Sequence, residues 1–176
     1  MLTKIFSAKT VMATVAALAL SVGFGGAAEA NAPREIGTYG KWSAFVYTEN
    51  GKKVCYMASR PTKDEGNYTR RGDIYAMVIH RPAENSRNEV IFISGYPHRR
   101  DSSVRVAIGG ENFTLTTDKD LSFTRNAGVE RSLVTAIRRG SNMIVRGTSS
   151  RGTATKDTYS LSGSSKAYDT ITRQCR

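Results

Sequence analysis

The stretch KWSAFVYTENGKKVCYMAS, from Lys41 to Ser59, contains two runs rich in aromatic and β-branched residues on either side of Asn50-Gly51. Asn-Gly is the dipeptide that most readily supplies the positive φ angles of a two-residue hairpin turn. The stretch is therefore predicted to form a β-hairpin against which later segments pack. It also carries Trp42, the single tryptophan of the chain, and Cys55, one of its two cysteines.

The start of the chain has the pattern of a secretory signal peptide. Lys4 and Lys9 precede an apolar run from Val11 to Phe24, and small residues follow it up to Ala30. A basic segment, an apolar segment and an Ala-x-Ala site occur in the order that signal cleavage requires. A membrane anchor is the alternative, but a spanning helix needs about 20 apolar residues and this run is shorter. We expect cleavage after Ala30.

Removal of residues 1–30 would leave a polar lead at 31–40 and a single domain at 41–176, which is long enough for one hydrophobic core. The formal net charge of the whole chain is +11. Such a charge favours anionic partners in general. Export and the absence of a recognisable nucleic-acid-binding motif argue against nucleic acid. The expected partner is an unknown protein or an anionic component of the envelope or a host surface. Peripheral membrane contact and the oligomeric state stay open.

The two cysteines are expected to form a disulfide. Export would place Cys55 and Cys175 in a compartment where thiols oxidise. A chain with two cysteines has one intramolecular pairing, so we predict a Cys55–Cys175 bridge. Two free thiols or an intermolecular bridge are the alternatives. The two histidines, His80 and His98, show no ligand-like spacing relative to the cysteines, so neither a metal site nor a cofactor is predicted.

Short β-prone segments separated by Gly, Pro and polar residues recur after the hairpin. They are Asp73 to Arg81, Val90 to Tyr96, Val104 to Ile108, Asn112 to Thr117, a weaker one at Leu121 to Arg125, Met143 to Ser149 and Ala154 to Leu161. With the two strands of the hairpin they give about eight strands, eight without the weaker segment and nine with it. This spacing predicts an all-β, antiparallel β-sandwich, with a closed barrel as the alternative architecture.

Two segments have a helical period instead. From Gly128 to Gly140 the apolar residues share one helical face, an acidic residue occupies the first turn and two arginines occupy the last, as the helix dipole favours. A second helix is predicted to begin near Gly163. Its apolar face contains Ala167, Tyr168, Ile171 and Cys175. That face would bring Cys175 toward the sheet and Cys55.

Several segments resemble the invasion-associated locus B family of alphaproteobacterial exported proteins. They are KWSAFVYTENGKKVCYMAS, RRGDIYAMVIHRPAE, SGY, VRGTSSRGTATKDTYSLSG and the terminal Cys175. The resemblance extends from Lys41 to Cys175. It implies an immunoglobulin-like β-sandwich, a location in the periplasm or at the outer cell surface and, in some pathogenic members, a part in host-cell invasion. It supplies no catalytic residues and no agreed ligand.

Three pairs of arginines are candidates for a patch that binds an anionic ligand. They are Arg70 and Arg71, Arg99 and Arg100, and Arg138 and Arg139. A scattered, solvated positive surface is the simpler interpretation, because no run reaches five basic residues.

Arg71-Gly72-Asp73 also spells the tripeptide that integrins bind when a loop presents it. Three residues are a weak signal, and Asp73 borders a strand that looks buried. A turn leading into that strand is therefore the favoured interpretation.

No catalytic site is predicted. A nucleophilic serine needs a base within reach, only His80 and His98 are available, and His80 lies inside a strand. The sequence has no G-x-S-x-G motif. The acidic pairs Glu84 with Glu89 and Asp118 with Asp120 are in polar loops typical of solvated charge. We predict a non-enzymatic binding protein, with a periplasmic accessory or structural protein of envelope homeostasis as the alternative.

Overall fold

The computed structural model describes residues 32–176, which contain eleven strands and two α-helices. The strands are β1 (Arg34–Tyr39), β2 (Trp42–Glu49), β3 (Lys52–Ser59), β4 (Lys63–Gly66), β5 (Tyr75–Arg81), β6 (Ser86–Ile93), β7 (Ser103–Ile108), β8 (Glu111–Asp118), β9 (Leu121–Phe123), β10 (Asn142–Thr148) and β11 (Ala154–Ser160). The helices are α1 (Ala127–Arg139) and α2 (Ser164–Gln174). The predicted signal peptide lies outside the described residues. Neither helix within 32–176 has the length and apolar character needed to span a membrane.

All eleven strands belong to one antiparallel sheet, in the order β1-β2-β3-β5-β6-β9-β8-β7-β10-β11-β4. The two halves of this sheet face each other. Phe92 of β6 meets Tyr159 of β11 with ring centroids 6.4 Å apart. The indole nitrogen of Trp42 in β2 donates a hydrogen bond of 3.1 Å to the carbonyl of Ser160. The predicted antiparallel β-sandwich is therefore confirmed, because side chains of non-neighbouring strands share one core.

The strand number is a correction, since the sequence indicated about eight. β1 lies inside the segment predicted as a polar lead, and β4 lies in a segment that was expected to be a loop. These two strands are the edges of the sheet, and most of their residues are exposed or half-buried. Short, polar strands are typical at edges, where only one side is hydrogen-bonded. For that reason they lack the apolar alternation by which strands are recognised.

The predicted disulfide between Cys55 and Cys175 is present, with Cα atoms 5.9 Å apart. Cys55 is in the middle of β3 and Cys175 follows α2, and both are fully buried. The bridge joins residues 120 positions apart. In the chain-entropy model a loop of this length stabilises the fold by about 5 kcal/mol. The last helix is thus covalently tied to the first hairpin.

Both predicted helices form, and both pack on the core side of the sheet. α1 begins after Asn126, whose side chain accepts hydrogen bonds from the backbone of Gly128 and Val129 at 2.9 and 3.1 Å. Such a cap satisfies N–H groups that have no partner inside the helix. α2 begins after Gly163, which has a φ of +92°. A Cβ at Gly163 would lie 1.8 Å from the carbonyl oxygen of Tyr39, so a glycine is required there.

Candidate functional site

A cleft of about 770 Å³ opens at one end of the sandwich. Three segments enclose it: residues 67–72 before β5, residues 95–97 after β6, and the β10–β11 connection with the start of β11. The side chains that matter for its chemistry are Tyr68, Arg70, Arg71, Tyr96, Ser150 and Arg151. The cleft is therefore made of loop residues held by strands from both halves of the sandwich, which is a common setting for binding sites.

Two glycines hold the first two segments together. The amide of Gly72 donates a hydrogen bond of 2.8 Å to the carbonyl of Gly95. Gly95 has a φ of +69°, and a Cβ there would lie 2.5 Å from the carbonyl oxygen of Gly72. Close backbone approach and positive φ both require glycine. This contact fixes the position of Arg71, the residue before Gly72.

Arg71 and Asp157 form a buried ion pair behind the cleft. The two guanidinium nitrogens of Arg71 donate to the two carboxylate oxygens of Asp157, each at 2.6 Å. Each side chain is only 4% exposed. The Nε of Arg71 also donates to the carbonyl of Ser94 at 2.8 Å. Such a planar, bidentate arrangement locks both side chains in place.

The pair is electrostatically interdependent. Burial by itself lowers the pKa of the Arg71 guanidinium, but the hydrogen bonds and charge of Asp157 outweigh it and hold that pKa above its ordinary value. Burial raises the pKa of the Asp157 carboxyl, and Arg71 opposes that rise. The carboxylate therefore depends on Arg71 to remain charged in its buried position.

Two tyrosine rings flank the Arg71 guanidinium and form walls of the cleft. The guanidinium carbon lies 5.5 Å from the ring centroid of Tyr68 and 5.0 Å from that of Tyr96. The Tyr68 hydroxyl donates to Asp64 at 2.5 Å, and the Tyr96 hydroxyl is 2.5 Å from the hydroxyl of Thr155. Burial raises the pKa of Tyr96, so its phenol is neutral at physiological pH. These cation–π contacts hold the aromatic walls still.

The rim of the cleft carries two further cations, Arg70 and Arg151, and both are exposed. Within residues 32–176 neither of them forms a salt bridge with a carboxylate. The hydroxyl of Ser150 lies beside Arg151 on the same turn. Two free guanidinium groups, a hydroxyl and a rigid aromatic wall suit an anionic ligand with a flat or ring-shaped part.

The structure brings one of the three predicted arginine pairs to this cleft. Arg70 is on its rim, whereas Arg71 is buried behind it and already neutralised by Asp157. Arg99 and Arg100 are exposed on the adjacent turn, where the amide of Arg99 donates to Thr148 at 3.0 Å, and they do not line the cleft.

Arg138 and Arg139 are elsewhere, at the end of α1. Arg138 pairs with Asp169 of α2 at 2.9 Å and covers the ring of Tyr168. The cleft cation that sequence reasoning missed is Arg151. A single arginine in a turn carries no sequence signal of its own.

The Arg71-Gly72-Asp73 tripeptide forms the turn into β5. Arg71 is buried, and Asp73 is exposed and paired with Arg60 at 2.9 Å. An integrin-type ligand needs both charged groups free at the tip of a loop. The turn interpretation is therefore the one that fits the geometry.

Neither histidine lines the cleft. His80 is buried under α2, where its Nε2 is 3.1 Å from the hydroxyl of Thr172 and its Nδ1 accepts from the amide of Asn88. His98 is buried beside Tyr96, and its ring nitrogens have no hydrogen-bond partner in the described part of the chain. Burial lowers the pKa of both imidazoles, so both are neutral at physiological pH.

The turn at Ser149 to Gly152 has the structure of a hairpin connection. The side-chain oxygen of Ser149 accepts from the amide of Thr153 at 3.1 Å, and Gly152 has a φ of +85°. Residues 32–176 contain no group of three His, Cys, Asp or Glu side chains placed to hold a metal ion.

A second cationic surface lies on the outer face of β7, β10 and β11. Arg105 is directly opposite Arg146, and Arg146 is directly opposite Lys156. Lys156 is partly compensated by Glu65 at 3.0 Å, whereas Arg105 and Arg146 are exposed without such a partner among the described residues. Like charges directly opposite each other on neighbouring strands destabilise a sheet. An anionic surface laid over this row of three cations would relieve that repulsion.

Comparison with known proteins gives two findings. Residues 42–172 match the family model described as Invasion associated locus B (IalB) protein. Among solved structures, the chain resembles the crystal structure of invasion associated protein b from Bartonella henselae, with a TM-score of 0.53 and 17% identity over 78% of this chain and 95% of that one. At that identity the likeness concerns the fold alone. The comparison with curated proteins found no match.

Proposed function

Because the chain belongs to the invasion associated locus B family, we propose that it is an exported, non-enzymatic binding protein of the bacterial envelope. Its anionic ligand binds in the cleft between residues 67–72, residues 95–97 and the β10–β11 connection. The observation that carries the proposal is the pair of exposed arginines, Arg70 and Arg151, on the rim of a cleft whose walls are immobilised by a buried ion pair. Rigid walls lower the entropic cost of binding.

Export is supported by two independent features. The first thirty residues have the composition of a signal peptide. The disulfide between Cys55 and Cys175 is fully buried in the core, and such bonds persist in oxidising compartments such as the periplasm. A binding role without catalysis is supported by the positions of the two histidines, which are buried and do not line the cleft.

The family name, and the printed name of the Bartonella protein, connect this fold with invasion. On that basis the proposed role is recognition of an anionic component at a host surface. A second candidate is favoured by the row formed by Arg105, Arg146 and Lys156 on the outer face of three neighbouring strands. Such a surface suits the anionic headgroups of an envelope membrane, and hence an accessory role in envelope homeostasis.

Protease accessibility on intact bacteria distinguishes these two roles. Digestion of the domain on intact cells would support recognition at a host surface. Protection on intact cells, followed by digestion once the outer membrane is permeabilised, would favour the envelope role. A periplasmic protein of known location serves as the control. Recovery of the chain in the cytoplasm with residues 1–30 still attached would contradict export altogether.

The ligand chemistry is tested with sulfated dextran as the anionic probe and unsulfated dextran as the neutral one. We expect binding of the sulfated polymer alone, weakening as salt screens the charges. Arg70→Gln and Arg151→Gln should each raise the dissociation constant by about three- to fivefold, the effect of one exposed charge pair. Arg139→Gln, which removes the same charge at the end of α1, is the matched control. Equal effects of all three substitutions would show that only the overall charge matters, and would refute a site at the cleft.

A further inference from the structure

The outer face of the β2-β3-β5-β6 half of the sandwich is apolar. Strand alternation points one set of side chains into the core and the other set outward. Here the outward set is aromatic and aliphatic. Its central members are Phe45, Tyr47, Tyr56, Met77, Ile79 and Ile91. None of the six belongs to the main core cluster, and both helices pack on the opposite side of these strands.

These side chains pack against each other as a continuous layer. Phe45 and Tyr56 are directly opposite on neighbouring strands, and their rings stack with centroids 4.9 Å apart. Tyr47 meets the same Tyr56 ring edge-on at 5.9 Å. Ile79, directly opposite Tyr56 on the neighbouring strand, is only 7% exposed. The face is therefore preformed and already partly desolvated, as the centre of an interface is.

The other outer face has the opposite character. On β7, β8, β10 and β11 the outward residues include Arg105, Thr114, Arg146 and Lys156. An antiparallel sandwich that meets water on both sides would have polar residues on both outer faces. Because only one of the two outer faces is apolar, only that side of the domain is expected to be covered by a partner.

The rim of the apolar face carries charges of both signs that are already paired. Arg81 forms ion pairs with Glu49 and Glu89, the latter at 3.4 Å. At the other end Arg60 pairs with Asp73. In a chain with a formal charge of +11, this face is thus close to neutral, so two copies can approach through it without the repulsion that other sides would produce.

The dimensions also suit a pair of identical faces. Four strands spaced about 4.8 Å apart and about 25 Å long present roughly 480 Å² per copy, or about 1,000 Å² for two, which is the smallest area expected of a specific interface. We propose that this face is a homodimer interface, in which two copies pack their Phe45–Tyr56 layers together and turn their rows of Arg105, Arg146 and Lys156 outward. The inference does not depend on what the cleft binds.

The test is the molar mass of the exported, disulfide-bonded protein, measured by sedimentation equilibrium across the micromolar range. We expect a mass twice that of one chain, falling to one on dilution. Met77→Glu should raise the dimer dissociation constant at least about tenfold, since it places a carboxylate in an apolar contact on each copy. Thr114→Glu adds the same charge to the exposed surface of the other outer face and should leave the dimer intact.

If Met77→Glu fails to fold, Phe45→Thr replaces it, because threonine is compatible with a strand and removes the stacked ring. A wild-type protein that remains monomeric at the highest concentration would overturn the proposal. So would a dimer that both substitutions on the apolar face leave unchanged, because the contact would then lie elsewhere.

Discussion

At the scale of single residues, the Arg71–Asp157 pair is the part of the site with the largest energetic consequence. Both side chains are 4% exposed, and two hydrogen bonds join the guanidinium to the carboxylate. Removing one member of such a pair leaves a buried, uncompensated charge, whereas removing both leaves none. The two partners are 86 positions apart in the sequence. Their pairing therefore has no local sequence signal.

We predict that Arg71→Met destabilises the protein by about 3–5 kcal/mol, because Asp157 is left buried without its counter-charge. The double variant Arg71→Met with Asp157→Leu should recover most of this loss. Urea unfolding measures both. Arg70→Gln, at the neighbouring exposed position, should change stability by no more than about 0.5 kcal/mol. A double variant as unstable as Arg71→Met would show that the pair acts through packing and not through charge.

The two histidines make stability dependent on pH. Burial lowers the pKa of His80 and His98 below the ordinary value of 6.5. The unfolded chain therefore binds protons more readily, and the folded state loses stability as the pH falls below that value. Above that pH both histidines are neutral in the folded and in the unfolded chain, so the folded state keeps its full stability. The mechanism is the cost of charging an imidazole in an apolar environment.

We expect the free energy of unfolding to decrease between about pH 7 and pH 5, a window set by the ordinary histidine pKa. His98→Gln should flatten this decrease, and a variant that also carries His80→Gln should flatten it further. Urea titrations at several pH values provide the measurement. An unchanged slope in the double variant would assign the pH dependence to carboxylates, which also titrate at the lower end of this window.

At the scale of elements, recognition from sequence depended on how much of each element is buried. The Lys41 to Ser59 hairpin and β5 are rich in apolar, β-prone residues, and both helices have clear apolar periodicity, so these elements were predicted within a residue or two of their bounds. The edge strands β1 and β4 were missed because one of their sides faces solvent and their residues are mostly polar. The sequence predicted no cleft: Arg70 was named only as part of a possible arginine patch, and the contributions of Tyr68, Tyr96 and Arg151 depend on the meeting of three distant loops.

The junction between β1 and α2 is the element-scale contact with the strictest steric requirement. Gly163 has a φ of +92°, and a Cβ there would come within 1.8 Å of the carbonyl oxygen of Tyr39. We predict that Gly163→Ala destabilises the protein by about 3 kcal/mol or more, because backbone must shift in addition to the conformational strain.

Gly110 is the matched control for this substitution. Its φ is +91°, nearly the same, but no atom lies within 4 Å of the position that a Cβ would occupy. Gly110→Ala should therefore cost only the conformational strain, about 1–2 kcal/mol. Thermal unfolding of both variants gives the comparison. Equal losses at the two sites would mean that the backbone at Tyr39 moves away from the new Cβ without an energetic cost.

At the scale of the whole molecule, the disulfide and α2 close the sandwich on itself. Cys55 is in the first hairpin and Cys175 is the last residue but one, so nearly all of the domain lies between them. The last turn of α2 also reaches the sheet through Thr172, next to His80, which is directly opposite Cys55 on the neighbouring strand. The C-terminal helix thus reaches the same part of the sheet twice, once covalently and once by a hydrogen bond.

We predict that replacing both cysteines by alanine lowers stability by up to about 5 kcal/mol, because the unfolded chain regains the entropy of a loop of 120 residues. The loss of local stability should be largest in α2. In the double variant, the free energy of local opening should be lower for the amides of α2 than for those of β5 and β6. Hydrogen exchange on the wild type and the double variant measures both effects. Cys55→Ser alone provides a chemical check, since it should make Cys175 reactive toward a thiol reagent. A Cys175 that stays unreactive, in a variant of unchanged stability, would contradict the view that this bond holds the last helix on the sheet.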